Sequence, residues 1–134
     1  MANTLYPIAR QQYLTGQVNW DIQNIGVMLL TDLYDYDPLH YRIADIAVGA
    51  RVSSAELGAQ TSADGYANGA GVTFVGLTFP QPITKLVMYD EDAGNFEAST
   101  LVAFYDGVSG FPLTATGGNY QVLPDLSFGG FFRL

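Results

Sequence analysis

Carboxylates are the side chains of this sequence best equipped for chemistry, and they gather in two places. Asp32, Asp35 and Asp37 alternate with Leu33, Tyr34 and Tyr36. Asp90, Glu91 and Asp92 run together, with Asn95 and Glu97 just downstream. Several carboxylate oxygens around one point would suit a hard cation such as calcium. An EF-hand loop, however, needs glycine at its sixth position and glutamate at its twelfth. Counted from Asp32, the ninth residue is His40 and the twelfth is Ile43, so that pattern fails. The segment Asp32–Asp37 therefore reads as a solvated acidic loop. The group from Asp90 to Glu97 reads as ordinary turn chemistry, because Asp, Gly and Asn are what turns use. Contact with a basic partner or a bound ion is the alternative there.

No catalytic constellation accompanies these acids. His40 is the sole histidine, and acid–base or nucleophilic work usually recruits one beside a serine or cysteine. Ser109 lies in the turn Val108-Ser109-Gly110-Phe111, with no nucleophile elbow around it. His40 is expected to be a surface or packing residue. Paired carboxylates could serve glycoside hydrolysis, but no motif supports that among the 13 acids. Glycine-rich pieces occur at Gly65–Gly71 and Gly129-Gly130. Neither has the Lys-Ser/Thr of a phosphate loop or the strand and helix of a dinucleotide site. The expectation is a protein without catalytic residues, cofactor or metal.

The elements that would carry these residues are mostly strands. The runs around Ile83–Asp90 and Leu101–Tyr105 are almost continuously apolar and flank the acidic turn. They predict a hairpin, covered on both faces like the central strands of a sandwich. Ile25–Thr31 predicts another buried strand, and Gly49–Leu57 alternates like an edge strand. Gly58–Gly71 reads as a loop with room for a short strand near Gly65–Ala67. Val72–Phe79 reads as a strand ended by Pro80 and Pro82. Tyr120–Leu123 and the greasy end Phe131–Leu134 read as further strands. At the start, Asn3 or Thr4 can cap a helix over about residues 3–14, with Leu5, Ile8, Ala9 and Tyr13 on one face and Gly16 as its stop. Leu39, Ile43 and Ile46 predict one or two helical turns. Trp20 and the tyrosines are expected mainly in the core, with interface anchoring as the alternative. The fold class is all-β: a single β-sandwich or partly open barrel of about seven or eight strands over residues 17–134, with the helix docked on it.

Composition bounds the function. The chain has 134 residues, 49% of them hydrophobic, with 15 glycines and no cysteine, which suits one turn-rich β domain without disulfides. Net charge is −8 from 13 acids and 5 basic residues. So few cations cannot build a phosphate-binding patch, and nucleic-acid binding is set aside. An acidic surface can complement a basic partner. No signal peptide is expected after Met1-Ala2-Asn3, and the run Val27–Leu30 is too short to span a bilayer. A soluble protein made in the cytoplasm is expected.

Three stretches carry a resemblance. The first runs from Ala2-Asn3-Thr4-Leu5-Tyr6-Pro7 through Ala9-Arg10-Gln11, Tyr13-Leu14 and Gly16 to Val18-Asn19-Trp20. The second is Asp45-Ile46 followed by Gly49-Ala50-Arg51-Val52. The third is Gly110-Phe111-Pro112-Leu113-Thr114, then Gly117-Gly118-Asn119 and the final Phe131-Phe132-Arg133-Leu134. In this order they resemble a family of small tailed-bacteriophage virion proteins encoded near the capsid genes. Gly58–Gly71 departs most from that pattern. The resemblance implies a non-enzymatic virion component, foremost a capsid decoration (cement) protein clamping major-capsid subunits from outside, made in the host cytoplasm. It also implies self-association into a homo-oligomer such as a trimer. A tail or neck component (tube, terminator or minor tail protein) and a carbohydrate- or receptor-binding β-module are the alternatives.

Overall fold

A computed structural model of the chain describes residues 3–17, 19–92, 94–108, 110–124 and 130–133, the last without its side chain. Ser109, Gly129 and Leu134, as well as Ala2 and Val18 of the first resembling stretch, lie outside the described residues. Strand makes up 39% and helix 14%, so the chain is all-β. One five-stranded antiparallel sheet dominates, with two small sheets besides, and among the described residues no barrel closes.

The main sheet has the order β1 (Thr4–Leu5), β8 (Thr100–Tyr105), β7 (Ile83–Asp90), β2 (Ile25–Thr31), β3 (Arg51–Glu56). All seven residues of β2 are buried. A strand with the uninterrupted run Val27-Met28-Leu29-Leu30 needs cover on both faces, and it sits between β7 and β3. The hairpin β7–β8 forms as its sequence predicts, with Val87 opposite Phe104 and Met88 opposite Ala103. Neighbouring residues on a strand face opposite ways, and β8 uses that directly. Phe104 meets the rings of Tyr34 and Tyr36 at 6.1 and 5.2 Å. Tyr105, next along, donates to the Phe131 carbonyl at 2.9 Å.

Two segments thus close over the two faces. One is the connection from β2 to β3. The other joins α1 (Pro7–Leu14) to β10 (Phe132–Arg133) through Tyr13 and Phe132, whose rings are 6.1 Å apart. Trp20 lies edge-on to Phe132 at 5.2 Å and donates its indole N–H to the Asn68 carbonyl. At 5% exposure it is a core residue, as expected. β10 pairs with β5 (Tyr66–Asn68), and β5 with β4 (Thr61–Ala63). The third sheet pairs β6 (Val72–Phe74) with β9 (Tyr120–Val122).

Several expectations need correcting. Ten strands appear among the described residues, more than seven or eight, because short pairs were hidden in turn-like sequence. Residues 58–71 hold the short strand expected near Gly65–Ala67, as β5, and also a partner, β4, so that the stretch is a hairpin instead of mostly loop; its turn is Asp64-Gly65, both at positive φ. The helix begins at Pro7 instead of residue 3, because Thr4–Leu5 pairs with β8. Asn3 does not cap it; its side-chain oxygen accepts the N–H groups of Asp106 and Gly107 instead. The strand starting at Val72 ends at Phe74 rather than Phe79, and Gly76 adopts φ +62°. Leu39, Ile43 and Ile46 do not share a helical face. Only Ile43–Asp45 forms a single tight turn, and Leu39 is exposed while Ile43 and Ile46 are buried.

Arg51 explains why the second resembling stretch holds together. Its guanidinium forks onto both oxygens of Glu97 at 2.7 and 3.0 Å and also donates to the carbonyls of Ile43 and Ile46. One planar side chain therefore ties the turn at 43–46 to the acidic turn after β7. Among the described residues, no helix is long and apolar enough to cross a membrane.

Candidate functional site

The first acidic segment does not converge on a point. Asp32 accepts from the Thr84 hydroxyl at 2.9 Å. Asp35 is almost fully exposed, 3.7 Å from Lys85. Asp37 accepts from the Leu39 N–H at 2.8 Å, an Asx-type turn. Between them Tyr34 and Tyr36 turn inward. The Tyr34 hydroxyl bonds the Tyr6 hydroxyl at 2.6 Å and His40 Nδ1 at 3.0 Å. Burial pushes the Tyr34 phenol up to about 12, and burial raises Tyr6 further beyond its usual range. His40 is half-buried against the Tyr34 ring, in the packing role expected of it.

This chain of hydroxyls predicts an ordering of effects. Tyr6→Phe leaves Tyr34 with His40 as partner and should cost about 1 kcal/mol. Tyr34→Phe removes both bonds and strands the buried Tyr6 hydroxyl, so it should cost more, about 1–3 kcal/mol. Urea unfolding of both variants checks the order.

The inward tyrosines leave apolar neighbours outside. Leu33, Leu39, Tyr41 and Val48 are 70%, 84%, 41% and 74% exposed, all within the connection from β2 to β3. That connection is not loose. The Ile43 N–H donates to the Ser99 carbonyl and the Leu101 N–H to the Tyr41 carbonyl. Asp45 takes the N–H groups of Tyr41 and Arg42 at 2.9 and 3.0 Å. Although burial opposes it, these bonds with His40 and Arg42 nearby hold the Asp45 carboxyl below its usual range. Scattered exposed apolar residues are ordinary, and these four share one segment that is fastened to the sheet.

The second acidic group is turn chemistry, as its sequence suggests. Asp92 accepts from the N–H groups of Gly94 and Asn95, and its own N–H donates to Ser99. Glu97 is claimed by Arg51, whose hydrogen bond lowers its carboxyl. Asp90 and Asp92 line a shallow cleft with Asn24 and Thr100. Burial, then the charge of Asp92, push Asp90 up to about 6. Glu91 is raised mainly by a hydrogen bond shared with Glu56. Among the described residues, no group of three or more His, Cys, Asp and Glu side chains is arranged to hold a metal.

Asp90 sets a pH dependence. Its folded value lies above the unfolded one, so the folded state binds the extra proton between about pH 4 and 6. Stability from this group is full below pH 4 and falls as pH rises through 6. At a half-buried, solvent-screened position the loss is about 1 kcal/mol. Asp90→Asn should therefore raise the melting temperature at pH 7.5 and leave it unchanged near pH 3.5.

A different cleft, of about 470 Å³, was missed in the sequence. It lies between the end of α1 and the β4–β5 hairpin. Rings of Tyr13, Trp20, Tyr66 and Phe132 line it, with the carboxylates of Asp21 and Asp64. The Ser62 hydroxyl donates to Asp21 at 3.0 Å. Only the dipeptide Asp64-Gly65 hinted at the turn, and it is the pairing of β5 with β10 that brings Tyr66 beside Phe132. The chain matches no family model, no curated protein and no solved structure.

Proposed function

We propose that this chain is a non-enzymatic structural protein of a tailed-bacteriophage virion, a capsid decoration protein that binds the outer surface of the major capsid protein and stabilises the head. The observation that carries this reading is the fastened connection from β2 to β3, which turns Tyr34 and Tyr36 inward and leaves Leu33, Leu39, Tyr41 and Val48 exposed. A preordered apolar surface loses little entropy on docking. The resemblance supports the same reading, because its stretches build the framework: Trp20 packs on Phe132, and Arg51 fastens the turn beside the exposed residues. On the capsid the protein would form a closed homo-oligomer, a trimer where subunits meet at threefold axes.

Copy number and particle integrity test this. The reading expects hundreds of copies per virion, and particles lacking the protein with intact tails and heads that break on mild heating. About six or a dozen copies, with tailless heads, would replace it with a tail or neck role. Leu39→Asp should leave melting unchanged, because the side chain is exposed, and should abolish incorporation into heads.

A further inference from the structure

We propose that the cleft between α1 and the β4–β5 hairpin receives an arginine side chain presented by a partner polypeptide. The inference rests on the reading above only in taking the occupant to be a protein. The argument is the chemistry of the lining. The half-buried Tyr13 and Tyr66 supply ring surface beside the nearly buried Trp20 and Phe132, and the exposed Asp21 and Asp64 supply negative charge at the same opening. No basic residue is among the described residues that line it. A guanidinium is the side chain that uses both at once: it stacks on rings and pairs with carboxylates through its planar donors. A neutral ligand would waste the charge, and an anion would be repelled by it.

The local structure keeps the carboxylates in place. Asp64 sits at φ +53° in the two-residue turn of the hairpin, a conformation that Asp and Asn tolerate. Asp21 accepts the Ser62 hydroxyl across the cleft, and a carboxylate with one bond filled still has lone pairs to offer. Trp20 holds its orientation through the Asn68 carbonyl, with Phe132 edge-on to it and Tyr13 tilted against Phe132. The site is therefore built before any partner arrives. The protein's net charge of −8 would also steer a basic segment toward it.

Trp20 is the one tryptophan of the chain, so its fluorescence reports the cleft directly. The purified protein is titrated with the blocked tripeptide Gly-Arg-Gly and with the same peptide carrying citrulline, the neutral isostere of arginine. The arginine peptide should shift Trp20 emission saturably, at millimolar concentration for a single anchor and more weakly in high salt. The citrulline peptide should bind at least tenfold more weakly. Asp21→Asn and Asp64→Asn, both compatible with their backbone, should each weaken the arginine peptide about three- to tenfold. Asp35→Asn, outside the cleft, should bind like the parent. No emission change in tens of millimolar peptide, equal binding of citrulline, or parental binding by both cleft variants overturns the proposal. So does a saturable response to neutral oligosaccharides with none to the arginine peptide. Failure here leaves copy number and head integrity as they are, so the two readings fall separately.

Discussion

Phe104→Ala is expected to lose about 3–5 kcal/mol of unfolding free energy, the range for deleting a large buried ring. Phe104 is 1% exposed and stands opposite Val87, with Thr4 of β1 on its other side. Its outward face carries Tyr36 at 5.2 Å and Tyr34 at 6.1 Å, and Tyr36 in turn packs on Tyr6 at 5.2 Å. The ring is thus the seat on which the connection from β2 to β3 rests. Removing it opens a cavity that the sheet cannot collapse to fill, because β7 and β1 flank β8 on either side. Phe104→Leu keeps most of the volume and should lose less than half as much. Amide exchange gives a second measure: residues 33–41 should lose protection in the alanine variant beyond the global change. A loss under about 1 kcal/mol would remove Phe104 from this role.

Gly26→Ala should be the second large effect, and its sign should depend on Tyr89. Gly26 faces Tyr89 across the β2–β7 pair. A Cβ on Gly26 would stand 2.2 Å from the Tyr89 ring carbon Cζ and 2.4 Å from its hydroxyl oxygen. That ring is 2% exposed and edge-on to Phe96 at 5.5 Å. It has no free direction in which to retreat, so overpacking should cost about 1–3 kcal/mol. Glycine weakens a strand interior, and an aromatic laid across it restores the lost packing. In a Tyr89→Ala background the space is empty, so Gly26→Ala should become neutral or stabilising. The double-mutant cycle in urea reads this coupling. Additive losses would mean that the ring does not depend on the glycine.

What could be read from the sequence follows the strength of the local signal. Ile25–Thr31 and the hairpin β7–β8 were legible because their apolar runs are too continuous for anything but covered strands. The edge strand β3 was legible from its alternation. The β4–β5 hairpin was not, because Thr61, Ser62, Ala63 and Asn68 carry no apolar period, and β5 is held by pairing to β10 instead. The helix start was misplaced because Asn3 and Thr4 are good caps locally, yet β8 offers Thr4 and Leu5 a ladder. Leu39 had the right spacing for a helix, but Asp37 and Asp45 took the nearby N–H groups into turns. The aromatic cleft joins residues from both ends of the chain and one middle hairpin, a juxtaposition that no local pattern encodes.

The fork of Arg51 has a mechanical consequence. Residues 43–46 and Glu97 hang on the same rigid plane of atoms, so neither surface can be displaced without dragging the other. A push on the turn at 43–46 would be relayed through that plane to the connection between β7 and β8 that carries Glu97. A lysine there would keep the charge but act as a swivel, and the two surfaces would then respond one at a time.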